Sequence, residues 1–130
     1  MKFKTPKCEF YFEVDDQILE KELGRDFVPE RKSYRCENHE LIVPLSDIEP
    51  IKRDVGKQGF RDDASIANIL QGFRSNSIIP PIEVSNCNTN PGYSYRLKDG
   101  FHRYFLSIVV GFKEIPVVIN NFKLSDLVGV

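Results

Sequence analysis

A short polar run, Asp99-Gly100-Phe101-His102-Arg103, stands between a strand-like segment and an apolar, helix-like segment. The opening amides of a helix have no partner within the helix and carry the positive end of its dipole, so they favour anions. His102 and Arg103 would add donors at the same place, and Arg103 can hold a phosphate through two N–H groups at once. The order of strand, glycine turn and helix therefore predicts a phosphate-binding turn formed by Gly100, Phe101, His102 and Arg103.

The same residues also have a purely structural interpretation. Asp-Gly is a common turn dipeptide, and Asp99 stands where an N-cap residue would. The two cations could be solvated or paired within the protein, and His102 could bond to a neighbouring strand. From spacing alone both interpretations stay open, because a short loop before a helix is a weak motif.

Composition limits the class of protein. The chain has 130 residues, 41% of them hydrophobic and 28% charged, which suits one globular core and is too short for two ordinary domains. The net charge of -1 gives no basic excess, which argues against a nucleic-acid partner. No apolar run approaches the ~20 residues that span a bilayer, and none follows the N-terminus as in a signal peptide. We expect a cytoplasmic protein with no membrane partner.

The cysteines give no sign of a disulfide framework or of a structural metal site. Cys8, Cys36 and Cys87 are odd in number and far apart, which fits reduced thiols. Cys36 and His39 have a C-x-x-H spacing, but a zinc site needs a third or fourth ligand at a matching spacing. We therefore predict no bound structural metal.

Residues 1–40 are predicted to form an N-terminal extension that covers one sheet edge. Alternation over Cys8–Val14 indicates a strand, and Asp15-Asp16 can cap a short helix over Gln17–Leu23. The polar segment 25–38 indicates a loop. Residues 41–130 are predicted to form the main domain.

Two apolar helices and several short strands make up the predicted main domain. In the first helix, Asp63–Phe73, the residues Ile66, Ile69, Leu70 and Phe73 fall on one face and are predicted core. The second helix, Phe101–Val110, is apolar nearly all round and should be buried. This pattern predicts an α+β fold, a small mixed sheet packed against two helices. The predicted strands lie at 41–44, 78–84, 93–97 and 115–119, and a last short helix lies at 123–127.

Blocks in a fixed order resemble the ParB/sulfiredoxin superfamily. The resemblance runs from about residue 41 to about residue 127, and it implies a single compact ParB/sulfiredoxin-like domain that binds a nucleotide. The blocks are Val43-Pro44-Leu45-Ser46-Asp47-Ile48, Ser65-Ile66, Ile79-Pro80-Pro81-Ile82-Glu83-Val84, Tyr95 to Tyr104, Gly111-Phe112 and Ile115-Pro116-Val117.

Within the superfamily, the last part of the resemblance is most similar to sulfiredoxin, with one decisive departure. Sulfiredoxins place a cysteine between the glycine and the histidine of this turn, where the chain has Phe101. Phenylalanine carries no nucleophile, so the sequence predicts that this is not a functional sulfiredoxin. The Asp-Gly-x-His-Arg form resembles ParB-like domains that act as free-serine kinases.

The resemblance also implies roles for individual residues. It implies ATP or ADP as the bound nucleotide. Phosphoryl transfer often also uses Mg²⁺. Asp99, His102 and Glu49 are the catalytic candidates that it suggests. Ser65 and Arg61 are the further nucleotide contacts that it suggests. The alternative for Glu49 is an exposed loop carboxylate, and the cation-bearing loop 52–60 could close over phosphates or be a solvated surface loop.

Three functions are compatible with the sequence. The first is an ATP- or ADP-dependent phosphotransferase acting on a small-molecule acceptor. The second is a non-catalytic module for nucleotide sensing or protein interaction. The third is a DNA-binding or nuclease role, as in partition factors and the ParB-like nuclease domain. It is the weakest of the three, because the charge is slightly acidic and no helix-turn-helix follows the domain.

Overall fold

The computed structural model describes residues 2–7, 11–24, 26–37, 41–50, 63–87 and 91–120. The following predicted features lie outside the described residues: Cys8, His39, the cation-bearing loop 52–60, Arg61 and the last helix at 123–127.

A two-stranded hairpin opens the chain. Strand β1 (Lys2–Lys4) pairs antiparallel with β2 (Tyr11–Glu13), and Phe3 lies opposite Phe12. Alternation predicted β2 but not β1, because three residues with lysines at both ends carry almost no strand signal. Helix α1 (Asp16–Glu22) follows, as the sequence predicted to within a residue.

Five strands of the described part of the chain form the main sheet, in the order β3-β7-β5-β6-β4. Parallel pairs join β7 to β5 and β6 to β4, and antiparallel pairs join β3 to β7 and β5 to β6, so the sheet is mixed. The bounds of the strands are β3 Leu41–Pro44, β4 Ile48–Glu49, β5 Ile82–Asn86, β6 Tyr95–Asp99 and β7 Glu114–Ile119.

The two edge strands of this sheet are neighbours in sequence. Only a single 3-10 turn, Leu45–Asp47, separates β3 from β4. Four residues of extended chain span at most about 14 Å. The edges of a flat five-stranded sheet would lie about 19 Å apart, since strands are spaced by roughly 4.8 Å. The sheet must therefore curl until its two edges approach each other.

Two helices pack against each other beside this sheet. Helix α2 (Asp63–Arg74) buries Ile66, Leu70 and Phe73 as predicted, and Ile69 packs half-buried against the same core. Helix α3 has the predicted bounds Phe101–Val110. The buried hydroxyl of Ser107 donates to the carbonyl of Arg103 at 2.6 Å, so this group is satisfied inside the helix. The described residues thus form the expected α+β fold.

The N-terminal hairpin packs on α3. The rings of Phe12 and Phe105 lie 4.8 Å apart, centre to centre, and both residues are buried. The hairpin thus has a ring contact with a helix, and the covering of a sheet edge by the extension stays a prediction. A two-stranded hairpin has no core of its own, so the apolar ring of Phe12 is buried only by packing on another element.

The loop between α1 and β3 contributes to the core. Tyr34 is only 2% exposed, its ring stacks on Phe73 at 5.4 Å, and its hydroxyl donates to the carbonyl of Pro80 at 2.7 Å. The sequence signal for this contact was limited to an aromatic residue in a polar loop. Across the described ranges, no helix has both the length and the apolar character needed to cross a membrane.

Candidate functional site

The turn between β6 and α3 is built on Gly100. This residue is the N-cap of α3, with φ +91° and ψ 33°, the left-handed region that glycine adopts without strain. A Cβ at this position would lie 2.6 Å from Cγ2 of Ile82 and 3.1 Å from its Cα. Both the backbone conformation and the close approach to β5 therefore require glycine here.

Asp99 does not cap the helix in the way that the sequence suggested. Gly100 is the N-cap residue and provides no side-chain cap, while Oδ1 of Asp99 accepts the N–H of Gly100 at 2.8 Å. A capping side chain must reach the second or third amide of the helix, and Asp99 precedes the N-cap by one residue. Its carboxylate instead bonds to the adjacent amide, which orients an exposed carboxylate at the edge of the turn.

The first turn of α3 presents backbone amides together with an imidazole and a guanidinium. The first bond within the helix runs from the amide of Tyr104 to the carbonyl of Gly100, at 2.9 Å. The amides of residues 101–103 therefore precede the helical ladder and stand at the positive end of the dipole. His102 and Arg103 are half-buried in this turn, and no acidic residue lies in it. The local charge suits an anion.

Arg103 has a structural contact as well as a charge. Its Nη1 donates to the carbonyl of Pro81 at 3.1 Å, which ties the start of α3 to the segment that enters β5. A guanidinium carries five N–H groups, so this bond holds the side chain without exhausting its donors. Pro81 and Ile82 could not be predicted from the sequence as supports of the turn. The adjacent Pro80-Pro81 pair marked the strand entry, but nothing in it identified the helix that it would meet.

Phe101 faces the protein interior at the start of α3. Its ring lies 4.6 Å from that of Phe105, one helical turn later, and 5.7 Å from that of His102. The half-buried ring at this position is part of the packing of the turn. Any contact that Phe101 makes with an anion would come from its backbone amide.

The structure places Glu49 apart from the turn. Its Oε1 accepts from Nε of Arg96 at 3.0 Å, across the parallel pair β4–β6. Ile48 and Leu97 face the core from these two strands, so Glu49 and Arg96 project from the opposite face. Arg96 also precedes Asp99 by three residues, or about 10 Å of strand.

Ser65 lies in the first turn of α2, half-buried, and α2 packs against α3. Its predicted contact with a nucleotide stays a prediction, as does the contact of Arg61, which lies outside the described residues.

The thiols and carboxylates of the described ranges form no metal centre. No group of three or more His, Cys, Asp or Glu side chains there could hold an ion. Cys87 follows the last residue of β5, whereas Gly100 contacts Ile82 at the first residue, so about 16 Å of strand separates this thiol from the turn. Cys36 is half-buried in the loop before β3.

No protein-family model and no curated protein matches the sequence. Solved structures do match it. Sulfiredoxin from Arabidopsis thaliana is 22% identical, with a TM-score of 0.46, over 68% of this chain and 94% of that one. The C-terminally truncated chromosome-partitioning protein ParB from Caulobacter crescentus, complexed with CTP-gamma-S, is 16% identical, with a TM-score of 0.51, over 71% of this chain. The match spans 49% of that ParB chain, and at this identity the likeness concerns the fold.

Proposed function

We propose that this chain, which has a ParB/sulfiredoxin-like fold, binds a nucleoside di- or triphosphate with its phosphates on the turn from Asp99 to Arg103. The observation that supports it best is the start of α3, where a left-handed glycine packed on Ile82 holds the opening amides beside His102 and Arg103. A rigidly held helix start with a guanidinium and an imidazole can bind phosphate oxygens without reorganising.

ATP and ADP are the nucleotides that we propose from the sequence resemblance. The ParB structure with a similar fold holds CTP-gamma-S, so CTP belongs in the same comparison. A thermal-shift series with ATP, ADP, CTP and GTP, with and without Mg²⁺, would identify the base and the ion. A ligand that binds only the folded state raises the melting temperature according to its concentration relative to its Kd.

Arg103→Ala tests the proposed docking site. Hydrogen bonds to charged groups contribute roughly 1.5–3 kcal/mol. Affinity for the preferred nucleotide should therefore fall about tenfold to a hundredfold, at 1.4 kcal/mol for each factor of ten. The corresponding bare nucleoside should lose little affinity. Isothermal titration calorimetry with both ligands measures the difference.

Arg74→Ala is the matched control, because Arg74 is an exposed cation at the end of the other long helix. The melting temperature without ligand must be measured for both variants, since Arg103→Ala also removes the bond to Pro81. A folded Arg103→Ala protein with unchanged nucleotide affinity would place the phosphates elsewhere. A wild-type protein that binds no nucleotide at millimolar concentration would favour a protein-interaction role.

Phosphoryl transfer to a small-molecule acceptor is a second candidate, and the observation that favours it is the oriented carboxylate of Asp99. Its bond to the amide of Gly100 aims an exposed carboxylate at the edge of the turn. There Asp99 could take the proton of an acceptor hydroxyl or hold Mg²⁺, and His102 could donate to a phosphate oxygen. Glu49 is expected to contribute little, because it is paired with Arg96 on the other face of the sheet.

Asp99→Asn separates these roles. The amide keeps the size of the side chain and its acceptor for Gly100 but loses the charge. If Asp99 holds Mg²⁺, the Mg²⁺-dependent part of nucleotide affinity should disappear, and so should nucleoside diphosphate production. If Asp99 only bonds to the amide of Gly100, the loss of a negative charge beside the phosphates should raise affinity a few-fold. Calorimetry with and without Mg²⁺ decides between these outcomes, with Glu83→Gln on the neighbouring strand as the control.

Nucleotide sensing without turnover remains the alternative if binding occurs and no phosphate is transferred. Reduction of a sulfinic acid is not proposed, because Phe101 provides no thiol at the turn. A DNA-acting role is the least supported, given a net charge of -1.

A further inference from the structure

We infer that the N-terminal hairpin positions the phosphate-binding turn, acting through a line of four phenylalanine rings that runs from β1 to the first residue of α3. The line consists of Phe3, Phe12, Phe105 and Phe101. This inference rests on the proposed function, and it names a region outside the family resemblance as a determinant of nucleotide affinity.

The four rings are in successive contact. Phe3 stacks on Phe12 at 5.7 Å, Phe12 meets Phe105 edge-on at 4.8 Å, and Phe105 meets Phe101 at 4.6 Å. Phe12 and Phe105 are 1% and 0% exposed. The two middle rings therefore have no room to move independently, since buried side chains are close-packed.

Spacing along α3 explains why the line ends at the turn. Phe101 and Phe105 are four residues apart, so they lie on the same face of the helix in adjacent turns. Phe105 thus stands between the hairpin and the first turn. Any displacement of Phe12 changes the surface against which Phe101 packs.

The turn depends on such side-chain contacts because its N-cap offers no side-chain bond. On one side, Arg103 holds it to the carbonyl of Pro81. On the other side, the ring of Phe101 holds it to Phe105. Removing the support behind Phe105 should loosen the packing of Phe101 and so let the first turn of the helix move.

The hairpin is itself fixed at its far end. The Nζ of Lys7, in the connection between β1 and β2, donates to the carbonyl of Gly92 at 3.2 Å and lies 3.9 Å from Oδ1 of Asp47. The hairpin is therefore held at one end by the β5–β6 connection and the turn before β4, and at the other by α3. A positioning element needs such fixed supports.

Phe12→Leu tests this role, with Phe112→Leu as the matched control. Phe112 is also a buried phenylalanine, but it packs with Phe73 and Tyr34 in a separate aromatic cluster beyond the other end of α3. Both variants keep an apolar side chain and should lower the melting temperature to a similar degree. Circular dichroism at low temperature confirms that each is folded before ligand is added.

We expect nucleotide affinity to fall about three- to tenfold in Phe12→Leu, the factor that corresponds to the energy of one lost aromatic pair. In Phe112→Leu it should fall by less than about twofold. An equal loss in both variants, or no loss in Phe12→Leu, overturns the positioning role.

Hydrogen exchange of the ligand-free protein supplies an independent readout. The amide of Tyr104, which bonds to Gly100, should exchange several-fold faster in Phe12→Leu than in Phe112→Leu after correction for global stability. Equal exchange overturns the inference even if affinity changes. A wild-type protein that binds no nucleotide would end the proposed function instead, while the exchange comparison would still decide whether the hairpin positions the turn.

Discussion

Helices α1 and α3 begin in opposite ways. At the start of α1, Oδ1 of Asp15 accepts the amide of Gln17 at 2.8 Å, and Asp16 adds a second negative charge to the first turn. At the start of α3, the N-cap is a glycine without a side-chain bond, and the first turn carries His102 and Arg103. Helix α1 neutralises its own opening amides and dipole with aspartates, whereas the start of α3 stays positive. The contrast distinguishes a helix start that serves the fold from one suited to binding an anion.

The largest expected effect comes from Gly100→Ala. Alanine at φ +91° costs about 1–2 kcal/mol, and the overlap with Ile82 adds about 1–3 kcal/mol, so the free energy of unfolding should fall by roughly 2–5 kcal/mol. Urea denaturation monitored by circular dichroism measures it.

Gly111→Ala is the control for this experiment. Gly111 ends α3 with a similar φ of +99°, but a Cβ there would meet nothing within 4 Å. Only the conformational cost of about 1–2 kcal/mol should appear. Equal losses at the two glycines would show that the packing of Gly100 on Ile82 is unimportant for stability.

A smaller effect is expected at the other helix start. Asp15→Ala removes the cap of α1 and should lower the free energy of unfolding by about 1 kcal/mol. Asp15→Asn keeps a capping acceptor and should restore most of that loss. Neither change should alter nucleotide affinity in calorimetry, because the start of α1 belongs to the fold. A nucleotide affinity that follows Asp15 would break the distinction between the two helix starts.

The smallest effect is expected from Glu49→Gln. The side chain of Glu49 is 18% exposed and that of Arg96 is 48% exposed, so solvent screens the ion pair. Pairs of this kind contribute about 0.2–1 kcal/mol, and the loss should shrink at high salt. Nucleotide affinity should stay within twofold of wild type in the same titrations. If Glu49→Gln abolished phosphoryl transfer while nucleotide binding stayed intact, Glu49 would instead be a catalytic residue.

Much of the fold could be predicted because the informative signals were local. The bounds of α3 follow from an apolar segment between two glycines, and α1 follows from its aspartate cap. The strand β1 could not be found in this way, since its partner lies across a hairpin and its own residues carry little pattern. Tyr34 was likewise invisible, because its core position depends on Phe73 and Pro80, which only the tertiary fold brings near.

The candidate site was predictable to a similar extent. Residue types and order identified the turn itself, but its supports lie far away in sequence. The carbonyl that holds Arg103 belongs to Pro81, and the side chain that excludes a Cβ at Gly100 belongs to Ile82. The direction of the Glu49 side chain could not be predicted for a similar reason, and its catalytic role stays a prediction. Its direction depends on the face of β4 from which it projects, and the short strand of two residues gave no alternation to read.

The curled sheet has a consequence for how the chain acquires its structure. Its edge strands β3 and β4 come first in sequence, and β7, which pairs with β3 on one side and β5 on the other, comes last. During synthesis the edges emerge long before the middle, so neither can complete its pairing until residues near 95 and 115 have left the ribosome. Pairings between such distant residues are slow to form. We therefore expect the complete sheet to assemble only after β7 has been translated. Helix α2 and the N-terminal hairpin cannot complete their packing before α3 has also been made.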